Sequence, residues 1–481
     1  MNFNLSKKAY YSIKVLVWLC FISYSIISII SLQKTDLIFS LLLSALLMEL
    51  TLIRFIYNWY KYKQPRLLDW FRLSTFVSII LNFLLMIETF EKFSLVLVNN
   101  VVFVNTDLVF PALLVILVGL LALDLSEFFM LRSSKRVSLV TLKNETIKFR
   151  FKPLFYLFTF FIIGIQFYLH LSGVIGYGVF TEHTTASYSF LIQIIKISSF
   201  TALSLYGILK YIYKFSSFFF NISFLIIFLF TIVLGFISGM KEEIIIPVIL
   251  VAIPFLLSGR SISRTILIGG FIFTILLYPI NNNYRDVLNK NPQFDKVTAF
   301  QLAFLNTISV NFVDNFVSGR ESYKSRISLF PVFMYSLDKE GQWNHYKNLD
   351  RYIYIPVAWI VPRVFLPNKP ISDTGSELYY MTTGRRTNSI TPSTFGWSYL
   401  EGGYGPTFIT FLVFGLVISL FQKRIGNGNI FHLVLYGLIL SSLLKVESDI
   451  YFRLSGLLQT ILISYLIVRI FIKNSKKINH E

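Results

Sequence analysis

The chain has 481 residues, of which 55% are apolar and only 14% charged, with a mean hydropathy of +0.65. A soluble chain carries about 25% charged residues, so a water-soluble, secreted or disordered body is excluded. Apolar runs close to the ~20 residues that span a bilayer also exclude an outer-membrane barrel, whose strands alternate over about ten residues. The net charge of +19 would suggest nucleic acid in a soluble protein, but here it must first be set against the membrane topology. The single cysteine, Cys20, makes no intrachain disulfide. His170, His183, His345, His432 and His480 show no metal-ligand spacing. No cofactor and no metal site are expected.

Twelve spans are predicted, near 12–31, 37–58, 73–90, 108–130, 154–171, 189–209, 218–238, 243–258, 265–281, 404–421, 430–446 and 454–472. The first follows Lys7 and Lys8 but lacks a small-residue cleavage site, and reads as a retained span rather than a signal peptide. Lys and Arg collect in alternate loops. One set comprises Lys7 to Lys14, Lys61 to Arg72, Arg132 to Lys152, Lys210 and Lys214, Arg260 and Arg264, Lys423 and Arg424, and Arg469 to Lys477. The short intervening loops and their margins hold only Lys34, Lys92, Lys241, Lys445 and Arg453. By the positive-inside rule both termini are expected in the cytoplasm. The excess charge is then topological, and a nucleic-acid partner is not expected.

The fold class predicted is therefore all-α: a polytopic membrane protein of about 12 transmembrane helices with one large extracytoplasmic loop. Three parts follow: nine spans in 1–281, the loop in 282–403, and three spans in 404–481. Within the loop, Phe300, Phe304, Ile308, Phe312 and Phe316 recur at four-residue spacing, which predicts an amphipathic helix over 298–318. Residues 352–366 are apolar but interrupted by Pro356 and Pro362, which suits an interfacial or re-entrant piece.

This loop concentrates the groups that could carry chemistry. Arginine is always charged and presents a fork suited to phosphate, which singles out Arg285, Arg326, Arg363, Arg385 and Arg386, with Lys369 beside them. Gly402, Gly403 and Gly405 precede Pro406 at the start of the tenth span, where a helix N-terminus offers N–H groups to an anion. Asp373, Glu377 and Glu401 could take a proton from a sugar hydroxyl, and aromatics such as Trp397 and Tyr399 could stack on sugars or anchor at the interface. Taken one at a time, each of these residues is more simply a solvated charge, a turn or an interfacial anchor; their collection in one loop favours function. Glu49, Arg54, Glu88, Asp124, Glu127, Lys196 and the run Lys241-Glu242-Glu243 fall in or beside spans. Most lie close enough to a span end to snorkel, whereas Lys196 is well inside and is expected to line a cavity or pair with a carboxylate.

In topology the chain resembles the Wzy-type polymerases of O-antigen, capsule and exopolysaccharide repeat units. The resemblance is carried by Phe236-Ile237-Ser238-Gly239-Met240-Lys241, with lysine where arginine is commoner. It is carried also by Ile360-Val361-Pro362-Arg363 with Leu366-Pro367-Asn368-Lys369-Pro370, by the glycine-rich lead from Ser393 to Gly405, and by Arg326. It implies transfer of a growing glycan from polyprenyl diphosphate to the sugar end of a new lipid-linked repeat unit, in the cytoplasmic membrane, without metal or sugar nucleotide. Arg285, Arg326, Arg363 and Arg386 would hold the diphosphate, with Lys369, Arg385 and the three glycines, and Glu401 or Glu377 would be the base. The implied partners are the lipid-linked glycan, membrane lipid and, for chain-length control, a regulator protein. A lipid-linked oligosaccharide flippase and an O-antigen-ligase-like transferase are the alternatives. A glycosyltransferase with carboxylates in its first outer loop fits less well, because that loop, near 32–36, holds only Asp36.

Overall fold

The computed structural model describes residues 6–32, 36–62, 65–86, 94–97, 100–103, 105–131, 146–172, 174–176, 186–258, 279–281, 283–288, 290–291, 294–309, 329–338, 375, 378–380, 384, 390–425 and 429–475. The chain is a polytopic helical membrane protein, with 8 helices among the described residues long and apolar enough to cross a bilayer. In chain order the N-terminal group is α1 (Lys7–Leu32), α2 (Leu37–Tyr62), α3 (Leu67–Leu85) and α4 (Val109–Leu131). The middle group is α5 (Lys152–Leu171), α6 (Ala186–Tyr211), α7 (Phe218–Ser238) and α8 (Lys241–Leu257). Shorter pieces follow: α9 (Lys296–Ser309), α10 (Phe330–Asp338) and α11 (Ser393–Leu400). The C-terminal group is α12 (Tyr404–Ile425), α13 (Ile430–Leu443), α14 (Ile450–Ser455) and α15 (Leu457–Phe471).

Three of the expected spans are short for a bilayer: α8 has 17 residues with Pro247 and Pro254 inside it, α13 has 14 and α15 has 15. Most of the ninth, at 265–281, lies outside the described residues, as do 352–366 and the far half of the predicted amphipathic helix. Its near half is α9, where Phe300 stacks beside Phe304 and against Phe236 of α7.

Two hydrophobic cores share one wall. The first joins α2, α3, α4, α10, α11 and α12, and the second joins α5, α6, α7, α8 and α15. Helix α13 lies between them, giving Leu435, Ile439 and Leu443 to the first and Leu433, Val434 and Leu438 to the second. Small residues let backbones close up where lipid supplies no hydrophobic drive. A Cβ on Gly415 of α12 would meet Ser126 of α4, and one on Gly235 of α7 would lie 2.7 Å from the backbone of Glu243 in α8. Leu225, Leu229 and Val233 on α7 remain exposed, as lipid-facing positions do.

The two ends of the bundle are defined by cross-chain contacts. At one end Lys152 Nζ donates to Ser217 Oγ, the Leu67 N–H donates to Gln422 Oε1, and strands β3 (Thr146–Phe149) and β4 (Ile472–Ser475) pair antiparallel. That pairing clasps the start of α5 to the end of α15. At the other end lie Gly239, the Lys445–Glu242 ion pair and the α9 segment. A separate hairpin pairs β1 (Ser94–Leu97) with β2 (Asn100–Phe103).

Candidate functional site

At the Gly239 end, α7 stops where Gly239 adopts a left-handed φ of 66° and returns its N–H to Phe236 O. A residue without a Cβ is the one that takes this conformation at low cost. The turn sends the chain straight into α8, and the close approach at Gly235 sets Glu243 against α7. A stretch far along the sequence converges on this turn. Tyr284 Oη donates to Ile237 O at 2.8 Å, and Arg285 donates from Nε and Nη2 to Gly239 O at 3.0 and 2.9 Å. The Arg285 cation thus sits at the negative end of α7, where the helix dipole favours it. Burial pushes the Tyr284 hydroxyl above its ordinary pKa.

Below the turn lies a small cavity of about 20 Å³, lined by Gln166, His170, Ile175, Lys196, Phe200, Thr231, Leu234, Gly235 and Glu243. Its centre is the Glu243 carboxylate, 6% exposed. Lys196 Nζ donates to Glu243 Oε1 in an ion pair, and His170 Nε2 faces Oε2 at 3.6 Å. His170 Nδ1 lies 2.8 Å from the carbonyl of Gln166, which can only accept, so Nδ1 carries a proton. Lys296 donates to the carbonyl of the lining residue Ile175 at 2.6 Å. Burial lowers the Lys296 ammonium below the usual lysine value, and the Glu243 charge opposes that fall. The pocket therefore sets Lys196 against one carboxylate and one histidine, with Lys296 held on the lining residue Ile175 and Arg285 held on the Gly239 turn.

Lys196 does both things expected of it: it lines a cavity and it pairs with a carboxylate. Arg285 and the Gly239 turn, picked out separately in the sequence, are brought together. Glu243 stands in the sequence among the charges beside a span, but nothing there joins it to His170, because the two share no short spacing.

A second region of this end contains Glu401. It follows α11, is 4% exposed, and occupies a turn in which Gly402 and Gly403 have φ of 139° and 85°. The N–H groups of both glycines donate to Tyr399 O, at 3.1 and 2.7 Å, and so close α11 rather than face an anion. Gly405 lies in the first turn of α12, with open space where a Cβ would stand. Helix α11 is fastened to the loop after α13, where Thr394 donates from N to Val446 O and from Oγ1 to Ser448 O. Beside it, Arg453 is a residue that the sequence reading counted only as loop charge. Its guanidinium is buried over the Phe71 ring, 5.8 Å from the centroid, and among the described residues none of its three nitrogens has a hydrogen-bond partner. Burial lowers its pKa, with the Glu447 and Asp449 carboxylates acting in the opposite sense. Arg326, Arg363, Lys369, Glu377, Arg385 and Arg386 lie outside the described residues.

The opposite end carries a different kind of charge cluster. Arg72, fully buried, bonds Asp69 at 3.0 Å, Asp124 at 2.7 Å and Glu127 at 2.7 Å. Arg54 pairs with Asp124 and, at 3.1 Å, with Glu127, while Arg66 stands 3.5 Å from Glu127. Asn58 adds a 2.8 Å bond to Asp69. Snorkelling, expected for Arg54, Asp124 and Glu127, is replaced here by an internal network that matches three arginines with three carboxylates. Glu49, further along α2, is bound by Lys14 at 2.9 Å and Trp18 at 3.0 Å.

The fold and its two charge clusters define an integral membrane protein with a polar pocket at one end. Residues 156–439 match the family described as a domain of unknown function, DUF8712, and the chain belongs to that family. The match takes in His170, Lys196, Glu243, Arg285, Lys296 and Glu401, and leaves out the Arg72 network. No curated protein and no solved structure matches the chain.

Proposed function

We propose that the protein polymerises polyprenyl-diphosphate-linked oligosaccharide repeat units at the outer face of the cytoplasmic membrane. One observation carries this reading. The Phe236–Lys241 turn, one of the stretches that carry the Wzy-type resemblance, is bonded by the Tyr284-Arg285 stretch at the start of the long loop, and Gly235 just before it lines the Lys196–Glu243 cavity. The basic loops gather at the Lys152 end, so the positive-inside rule directs the Gly239 end outward. Helix α8 leaves the Gly239 end, and Arg285 lies back beside Gly239. That return supports a twelve-span topology with residues 282–403 outside.

The chemistry suits the pocket. A diphosphate leaving group gains charge as its bond to sugar breaks, and preorganised cations lower that barrier. Lys196, Lys296 and Arg285 supply positive charge on fixed partners, and the resemblance assigns Arg326, Arg363, Lys369, Arg385 and Arg386 to the same diphosphate.

Deletion of the gene in its host, with surface and lipid-linked glycans resolved on a gel, tests the reading. A ladder collapsing to single repeat units, reproduced by Lys196→Met, Arg326→Ala and Arg363→Ala, is the expected result. Lipid-linked units trapped on the cytoplasmic side would mean a flippase. Full-length chains left on the carrier would mean a ligase, and an unchanged ladder would remove glycan assembly altogether.

A further inference from the structure

We propose that His170 is the general base that takes the proton from the acceptor sugar hydroxyl, with Glu243 and Lys196 as its positioning residues. This rests on the polymerase reading and gives the proton a destination other than Glu401 or Glu377.

The argument begins with the two ring nitrogens. Nδ1 is committed as a donor to the Gln166 carbonyl at 2.8 Å, so Nε2 is the nitrogen whose protonation can change. Nε2 has no hydrogen-bond partner among the described residues, although His170 is only 4% exposed. It lines the cavity beneath Gly239, whose volume of about 20 Å³ suits one hydroxyl-sized group. The neutral ring presents a lone pair there. The protonated ring is matched by Glu243 Oε2 at 3.6 Å.

Each helix around the ring has a defined part. α5 supplies the Gln166 carbonyl that fixes the tautomer. α6 supplies Lys196, which holds Glu243 by its other oxygen and stops that carboxylate from taking the proton outright. α8 supplies Glu243, α7 lines the cavity with Thr231 and Gly235, and Lys296 of α9 is the remaining cation facing Glu243. A base oriented by one group, with its charged form stabilised by another, is the logic of an acid–base triad.

The step balances. The acceptor O–H bond breaks and its proton goes to His170 Nε2. The freed oxygen pair forms the new bond to C1 of the donor glycan. The C1–O bond to the diphosphate breaks, and its electron pair leaves on the diphosphate, which stays attached to its polyprenyl chain. The imidazolium then returns its proton to water.

The experiment uses full-length protein in lipid nanodiscs with the host's lipid-linked repeat unit, and follows chain growth against pH. Wild type is expected to lose kcat/KM toward acid as His170 becomes protonated. His170→Gln should lower the rate by about 10²–10⁴-fold and abolish that acid limb. Glu243→Gln should lower kcat more than it changes KM, because a base held out of place slows the chemistry without loosening the substrate. Added imidazole should partly restore His170→Ala, with alkyl imidazoles following their basicity, and thermal melting of the variants checks that they fold. A folded His170→Gln that keeps the acid limb and a rate within about threefold overturns the base assignment while leaving the polymerase intact. Wild type without any chain growth on that substrate overturns the polymerase reading and the base together.

Discussion

The two charged clusters differ in what their charges are for. At the Lys152 end, Arg54, Arg66 and Arg72 meet Asp69, Asp124 and Glu127 in a packed network that leaves Arg72 no contact with solvent. At the Gly239 end, Lys196 and His170 meet Glu243 at a cavity, with Lys296 and Arg285 fixed close by on Ile175 O and Gly239 O. Charge in a membrane is costly in both places. In the first it is neutralised and fastens α2, α3 and α4 together. In the second an excess of positive charge is kept beside a cavity, which is where an anionic ligand gains from it. The DUF8712 match covers the second cluster and omits the first.

This contrast can be broken experimentally. The largest effect is expected from Arg72→Met, which leaves three carboxylates buried against the remaining cations. Removing one partner of a buried network costs about 3–5 kcal/mol, so the purified variant should show a steep fall in melting temperature or fail to fold. An Arg72→Met protein as stable as wild type would mean that the network is not a fastening.

Gly235→Ala should come next. Its Cβ would stand 2.7 Å from the Glu243 backbone, and overpacking of this kind costs about 1–3 kcal/mol. Because it displaces Glu243 itself, chain growth should fall further than melting does; equal, small losses in both would detach the α7–α8 approach from the site. The smallest effect is expected from Lys445→Ala. Its 2.8 Å pair with Glu242 is partly exposed, and such pairs contribute less than about 1 kcal/mol. Melting with and without added salt should barely separate this variant from wild type.

The spans were legible because apolar length is a local signal: α4 and α7 lie almost where their runs predict. So was Lys196, since a cation in the middle of an apolar run must find a partner. Its partner was not legible. Glu243 lies 47 residues on, and His170 is one histidine among scattered ones, so the pair exists only once α5, α6 and α8 are packed. Arg72 shows the same limit from the other side. It looks like one more cytoplasmic-loop cation in the sequence, yet folding buries it completely against Glu127, 55 residues away. The glycines before α12 were legible as special positions, but which groups their N–H donors would meet depended on how α11 ended.

The strand clasp between Thr146–Phe149 and Ile472–Ser475 also bears on how the protein is made. The first strand leaves the ribosome before α5, and its partner follows only after α15, so the clasp cannot close while the intervening helices are being inserted. Assembly of the α5–α8 bundle against α13 and α15 is therefore completed after synthesis has passed the last helix. Until then the strand Thr146–Phe149 is without the partner strand it pairs with in the finished fold.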